Sequence, residues 1–191
     1  MQVKSESDQV LSMIKSSKSL ALITDRQANC DTVASMLAFY HSFKSEEAKV
    51  SVIVPEEVPS GCQGLPESSV ITNDLGPKNL VVSLDTAGMP LTKISYSQEG
   101  PIFNLIIHPK ERSFEVERIR YSYEGTNFDT IVLFSVLRLS DLGDLYSKNQ
   151  KEFSAIPLIN FDYRAENERY GSVNEISDGG SLCETIYQKF A

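Results

Sequence analysis

The sequence predicts an α/β protein: a mainly parallel sheet flanked by helices, with an inserted antiparallel β segment. Three observations lead there. Short continuous apolar runs, of the kind shown by parallel strands buried on both faces, recur between segments with helical apolar spacing. A β-prone block from about residue 80 to 127 interrupts that alternation. The alternation then resumes to the last residue.

Residues 9–15 place Val10, Leu11 and Ile14 at helical spacing, and 20–23 form the first apolar run, so the chain opens helix then strand. A polar turn follows from 25 to 31. Beyond it Val33, Leu37, Tyr40 and Phe43 define one face of a helix beginning near Thr32. Residues 50–54 read as the next strand, which completes a strand, helix, strand unit with a right-handed crossover. The stretch 55–77 is rich in Pro, Gly and Ser and reads as a loop with a short strand around Val70 and Ile71. Residues 80–84, 93–97, 102–107 and 114–121 are β-prone, with a hairpin turn expected at Glu99-Gly100. Residues 130–134 and 158–161 are strands again, with a loop and helix over 141–153 between them. Residues 181–190 form a last helix with Leu182, Ile186 and Phe190 on one face. The expected organisation is one domain over 1–191 with a β-rich lobe at about 80–127.

Composition narrows the function classes. A length of 191 residues suffices to bury a core without staples. The net charge of −8 weighs against nucleic acid as a primary ligand, because that affinity comes mainly from Lys and Arg on phosphates. The one locally basic stretch, 112–120, contains Glu115 and Glu117 and reads as a solvated face. Cys30, Cys62 and Cys183 are odd in number and widely spaced, which suggests neither a disulfide framework nor a zinc site and fits a reducing, cytoplasmic setting. Residues 1–18 lack the apolar centre of a signal peptide, and no apolar run approaches the ~18 residues of a membrane span, so no membrane partner is expected.

The chemistry concentrates at two strand ends. Asp25 and Asp31 follow the 20–23 strand, and Asp162 ends the 158–161 strand. Ligands of open α/β sheets gather at that edge. Carboxylates brought together there suit hard divalent cations, and two such ions would clamp the oxygens of a phosphoryl transfer. Each residue also has a plainer role open to it. Asp31 suits a helix N-cap, Asp25 a solvated turn and Asp162 a loop anchor. His41 and His108 read as structural, and Cys30 and Cys183 as small packing residues.

Residues 25–35, Asp-Arg-Gln-Ala-Asn-Cys-Asp-Thr-Val-Ala-Ser, resemble the first motif of the DHH phosphoesterases, H-x-N-P-D-G-D-x-x-G-S. Asp31 and Ser35 match outright, whereas Asp25 stands for the histidine and Asn29 for the first aspartate. Asn160-Phe161-Asp162-Tyr163-Arg164, with Asn167, Tyr170 and Gly171 in register, resembles the motif N-I-D-H-H-x-x-N-x-x-F-G with both histidines replaced. Residues 129–135 resemble the strand of the second motif, with Ser135 in the aspartate's place and Leu142-Gly143 downstream. Asp85 mimics that motif only locally. Residues 174–187 resemble the fourth, with Gly180, Ser181 and Glu184 in register, its aspartate falling on Ile176 or Ser177, or on Asp178 across a one-residue gap. The resemblance spares only about 80–127, and the family's glycine-rich second domain finds no counterpart here.

The resemblance implies a vestigial site of Asp25, Asn29, Asp31, Ser135, Asp162, Tyr163 and Arg164. Several ligand positions are changed together, and Arg164 brings a fixed positive charge to where a cation would sit, opposing metal binding. The expected function is a catalytically degenerate domain acting as a binding or assembly module, with no cofactor. Its partners would be another protein, a second copy, or a phosphate-bearing small molecule held by Arg164 and Ser35. The alternative is an active manganese-dependent phosphodiesterase or phosphatase acting on nucleotides or short oligonucleotides, its metal held by Asp31, Asp162 and Asp25.

Overall fold

The computed structural model describes residues 6–45, 47–111, 113, 115–177 and 180–190. The chain runs α1 (Glu6–Ser16), β1 (Ser19–Thr24), α2 (Cys30–Phe43), β2 (Lys49–Ile53), β3 (Ile71–Thr72), β4 (Asn79–Leu84), β5 (Leu91–Glu99) and β6 (Ile102–Pro109). It continues through β7 (Ile119–Glu124), β8 (Thr130–Phe134), α3 (Asp144–Ser147), α4 (Gln150–Ala155), β9 (Leu158–Asp162), β10 (Val173–Ile176) and α5 (Leu182–Phe190). Two compact units result: residues 1–77 with 126–191, and Lys78–Gly125.

The first unit is built on a six-stranded sheet in the order β10-β9-β8-β1-β2-β3, every neighbouring pair parallel. Its central strands are apolar on both faces because both faces are covered. Leu20 and Leu22 of β1, Val132 and Phe134 of β8, and Ile159 and Phe161 of β9 point into a core closed by α1, α2 and α5. The alternate residues, Ala21, Ile23, Ile131, Leu133 and Leu158, point into a second core with Leu145 of α3 and Phe153 of α4. Phe39 ties α2 to that first core through edge contacts with Phe134 and Phe190. Among the described residues no helix is long and apolar enough to cross a membrane.

The second unit contains two antiparallel ribbons, β4 with β7 and β5 with β6. The strands expected at 20–23, 50–54, 80–84, 93–97, 102–107, 130–134 and 158–161 are all present within a few residues. Two elements differ. The expected 114–121 strand begins only at Ile119, after a 3-10 turn at Val116–Arg118. Within 112–120, Arg118 pairs with Glu115, while Arg112 and Phe114 lie outside the described residues. The edge strand β10 was not foreseen, being four residues long with polar Asn174 and Glu175 at its centre.

Cys30 and Cys62 form a disulfide, which corrects the expectation that cysteine plays only a packing part. They are 32 residues apart, so spacing could not reveal the pair. The fold lays the 3-10 turn Ser60–Cys62 against the first turn of α2 and brings their Cα atoms to 5.5 Å. Cys183 is free.

Candidate functional site

Strand register assembles the site. Thr24 of β1 pairs with Phe134 of β8, and Phe134 with Phe161 of β9. The next residue in each strand direction, Asp25, Ser135 and Asp162, therefore forms a row at the carboxyl edge, continued by Ile176 opposite Asp162. The place is also a topological switch point. From β1 the chain crosses through α2 to β2 over one face, whereas from β8 it passes through α3 and α4 to β9 over the other. Crevices open where the connections diverge in this way.

Asp162 is the centre of the row and is completely buried. Its Oδ1 accepts from the backbone N–H of Tyr163 at 2.8 Å, from that of Arg164 at 3.1 Å, and from Arg164 Nε at 2.9 Å. Its Oδ2 accepts from Arg164 Nη2 at 2.9 Å and from Asn167 Nδ2 at 2.7 Å. A buried carboxylate is tolerable only when its lone pairs are filled in this way. The bidentate guanidinium supplies the compensating charge, and its own pKa is raised, chiefly by the hydrogen bonds to Asp162. Arg164 also lies over the Tyr163 ring, 5.8 Å from its centroid.

Asp25 stands half-buried beside this pair. Its Oδ1 accepts from the Gln27 backbone N–H at 2.9 Å, an Asx turn that shapes the loop. Burial pushes its carboxyl above the ordinary aspartate value. That hydrogen bond and the Arg164 charge pull it back, and Asp141 and Asp162 push it further up. The plain reading of Asp25 as a solvated turn residue is thus half right: it makes the turn but is partly desolvated. Ser135 is buried with a left-handed backbone, φ 55°, and its N–H donates to Phe161 O at 2.8 Å.

Other residues of the predicted set are engaged elsewhere. Asn29, not Asp31, caps α2: its Oδ1 accepts from the Thr32 backbone N–H at 2.9 Å. Asp31 instead accepts from the Leu182 N–H at 2.9 Å, tying the first turn of α5 to that of α2. Ser35 is buried, donating to Asp31 O at 2.7 Å and lying 2.9 Å from Cys183 Sγ, so its hydroxyl is not presented as an anion donor. Burial raises the Cys183 thiol, which leaves it a poor nucleophile. His41 meets Glu67 at 3.6 Å and His108 meets Ser95 at 3.0 Å, both structural contacts. Asp85 makes its own Asx turn to Ala87 in the second unit. Asp178 lies outside the described residues. Among the described residues no three His, Cys, Asp or Glu side chains gather where they could hold a metal ion.

Behind the row the motif residues Asn160, Asn167 and Tyr170 join Asn174 in a polar network that the sequence reading did not foresee. Asn160 Nδ2 donates to Asn167 Oδ1 at 2.7 Å and to Asn174 Oδ1 at 3.1 Å, and Asn167 Nδ2 also reaches Val136 O at 2.8 Å. The Tyr170 hydroxyl donates to Val136 O at 2.7 Å and lies 3.1 Å from Asn160 Oδ1. Burial first, and the Asp162 charge second, lift that phenol far above its ordinary range. Gly171 is required there: a Cβ would come within 2.6 Å of Val173 O and 3.1 Å of Asn160 Cβ. The available signal was three asparagines within fifteen residues around a strand, since asparagine is seldom buried without a network.

A crystal structure of an exopolyphosphatase-related protein from Bacteroides fragilis superimposes on this chain with a TM-score of 0.62 at 15% identity. This chain has the fold of the part of that protein it matches. The match covers 99% of this chain and 44% of the other, so the chain spans less than half of its neighbour's length. At such identity the likeness is one of fold alone. No profile of a known protein family and no curated protein matches the sequence.

Proposed function

We propose that this chain is a DHH-phosphoesterase-like domain whose catalytic centre has become a closed arginine–carboxylate clamp, and that it works as a binding or assembly module. The observation that carries this reading is the saturation of Asp162. Five protein donors meet its two oxygens, and the strongest are the two arms of Arg164. A divalent ion would have to displace a guanidinium already paired bidentately with a buried carboxylate, against the repulsion of that same guanidinium. Asp31, the second carboxylate a metal would need, is committed to the N-terminus of α5. The fold shared with an exopolyphosphatase-related protein supports the phosphoesterase-like ancestry of the site.

The direct test is hydrolysis. Purified chain with manganese is expected to leave dinucleotides, short oligonucleotides and nucleoside bisphosphates at background rates. Metal-dependent turnover abolished by Asp31→Asn would establish the alternative, a manganese-dependent phosphodiesterase. A second test reads the site without turnover. Manganese should leave the melting temperature of the natural sequence unchanged, whereas Arg164→His should melt lower in metal-free buffer and regain part of the loss when manganese is added.

A further inference from the structure

The second unit carries an apolar face that stands largely exposed. No described residue of Lys78–Gly125 belongs to either hydrophobic core. Of the exposed large apolar side chains among the described residues, all but Tyr187 lie in this unit. The β5–β6 ribbon concentrates them on one side. Cross-strand pairs Ile94 with Ile107, Tyr96 with Leu105, and Gln98 with Phe103 share a face that bears no charge. Tyr96 and Phe103 stack diagonally across it, with ring centroids 5.7 Å apart. The opposite face takes Lys93, Ser95, Ser97, Glu99, Asn104 and His108, with Ile102 and Ile106 as its apolar members. Apolar on one side and mainly polar on the other is the pattern of a sheet that buries one face. Yet Tyr96 is 75% exposed, Phe103 63%, Ile94 58% and Leu105 48%.

We propose that the uncharged face of the β5–β6 ribbon is a self-association surface, covered in solution by the same face of a second copy of this chain. The proposal rests on the assembly reading above and gives it a surface and a partner. Area supports it. The four side chains expose on the order of 500 Å² per copy, so face-to-face stacking buries ~1,000 Å², the threshold that a specific interface clears. Charge supports it too. Two chains of net charge −8 repel in general, but this face brings no like charges together and offers none for an unlike partner to read. A two-fold axis through the Tyr96–Phe103 stack sets each aromatic pair on its copy, the isologous contact of cyclic dimers. An isolated two-stranded ribbon is marginal in water, and stacking two supplies the second layer that it lacks.

Sedimentation equilibrium of the full 191-residue chain across a dilution series tests this. The expected species is a dimer of twice 21.3 kDa. Tyr96→Lys and Phe103→Lys, each at an exposed position and checked for fold by circular dichroism, should give monomers, while Ser97→Lys on the opposite face should remain dimeric. A natural chain that stays monomeric throughout would overturn the proposal and leave the face to another chain or segment. A dimer that survives both aromatic substitutions, or that Ser97→Lys also dissociates, would overturn it by placing the contact elsewhere. The two readings fail separately. A dimer that hydrolyses a phosphodiester with manganese removes the degenerate site but keeps the interface, and a catalytically silent monomer does the reverse.

Discussion

Asp162 and Asp25 sit one strand apart from the same neighbour, yet the fold treats them oppositely. Asp162 is ringed by donors and paired with Arg164, so removing Arg164 alone leaves a buried carboxyl group without its countercharge. Arg164→Ala is expected to cost about 3 kcal/mol in urea unfolding, because breaking one side of a buried pair forfeits the compensation but not the desolvation. Arg164→Lys should cost less but not nothing, since an ammonium keeps the charge and loses the fork. Asp25 is the reverse case. Its folded value lies above the ordinary 3.8, so the folded state binds its proton more tightly than the unfolded chain. The stability this group contributes is therefore present at low pH and lost as pH rises through the folded value. Asp25→Asn should accordingly raise the melting temperature at pH 7, with the gain fading as pH falls towards 3.8. A variant equally or less stable at neutral pH would contradict the desolvation that drives the shift. At this scale the Asp162 pairing is of the local kind that a sequence can show, because only Tyr163 separates it from Arg164 and a loop can close that distance. Asp31 was not legible, since its true partner is the backbone of Leu182, 151 positions away.

Elements were readable where apolar periodicity was long. Strands β1, β8 and β9 each hold five consecutive buried residues, and α2 offers four turns of apolar spacing begun by a polar cap. The cap itself was misassigned by two positions, because Asn29 and Asp31 both suit the role and only geometry separates them. Asn29→Ala should cost ~1 kcal/mol through loss of the cap. Asp31→Ala should instead loosen α5, read as faster amide exchange in Leu182–Phe190 with α2 little changed. The disulfide was illegible for the same reason as the Asp31 contact: it is a tertiary fact. A bridge closing 32 residues stabilises on the order of 3 to 4 kcal/mol by chain entropy. Such a bond and a reducing cytosol are at odds. Thiol titration of the denatured, unreduced chain should find one free thiol, Cys183, and two more after reduction. Three thiols before reduction would remove the bridge.

At the scale of the whole molecule, the two units are stabilised in different ways, and this sets where the chain opens first. In the first unit a parallel sheet is buried on both faces, with Leu22, Ile23, Val132, Leu133 and Ile159 entirely sequestered, so exposing any central amide requires unfolding both cores. In the second unit each strand has one partner and the side chains of β5 and β6 stand largely in water, so local opening forfeits little buried area. The sequence marked this contrast as a change from continuous apolar runs between helices to a block of β-prone runs near residue 80. It could not show that the β-prone segments would pair only two by two, because pairing partners are set by tertiary contacts. Amide hydrogen exchange should therefore be strongly biphasic. Peptides covering β1, β8 and β9 should exchange last, with the free energy of global unfolding, and peptides covering β5 and β6 should exchange early in dilute solution. The early phase should also slow as protein concentration rises, because a stacked second copy excludes water from the ribbon and couples its opening to dissociation. Protection of β5 and β6 that matches β1 at every concentration would mean that the chain opens as one cooperative body, and this account of its two units would fall.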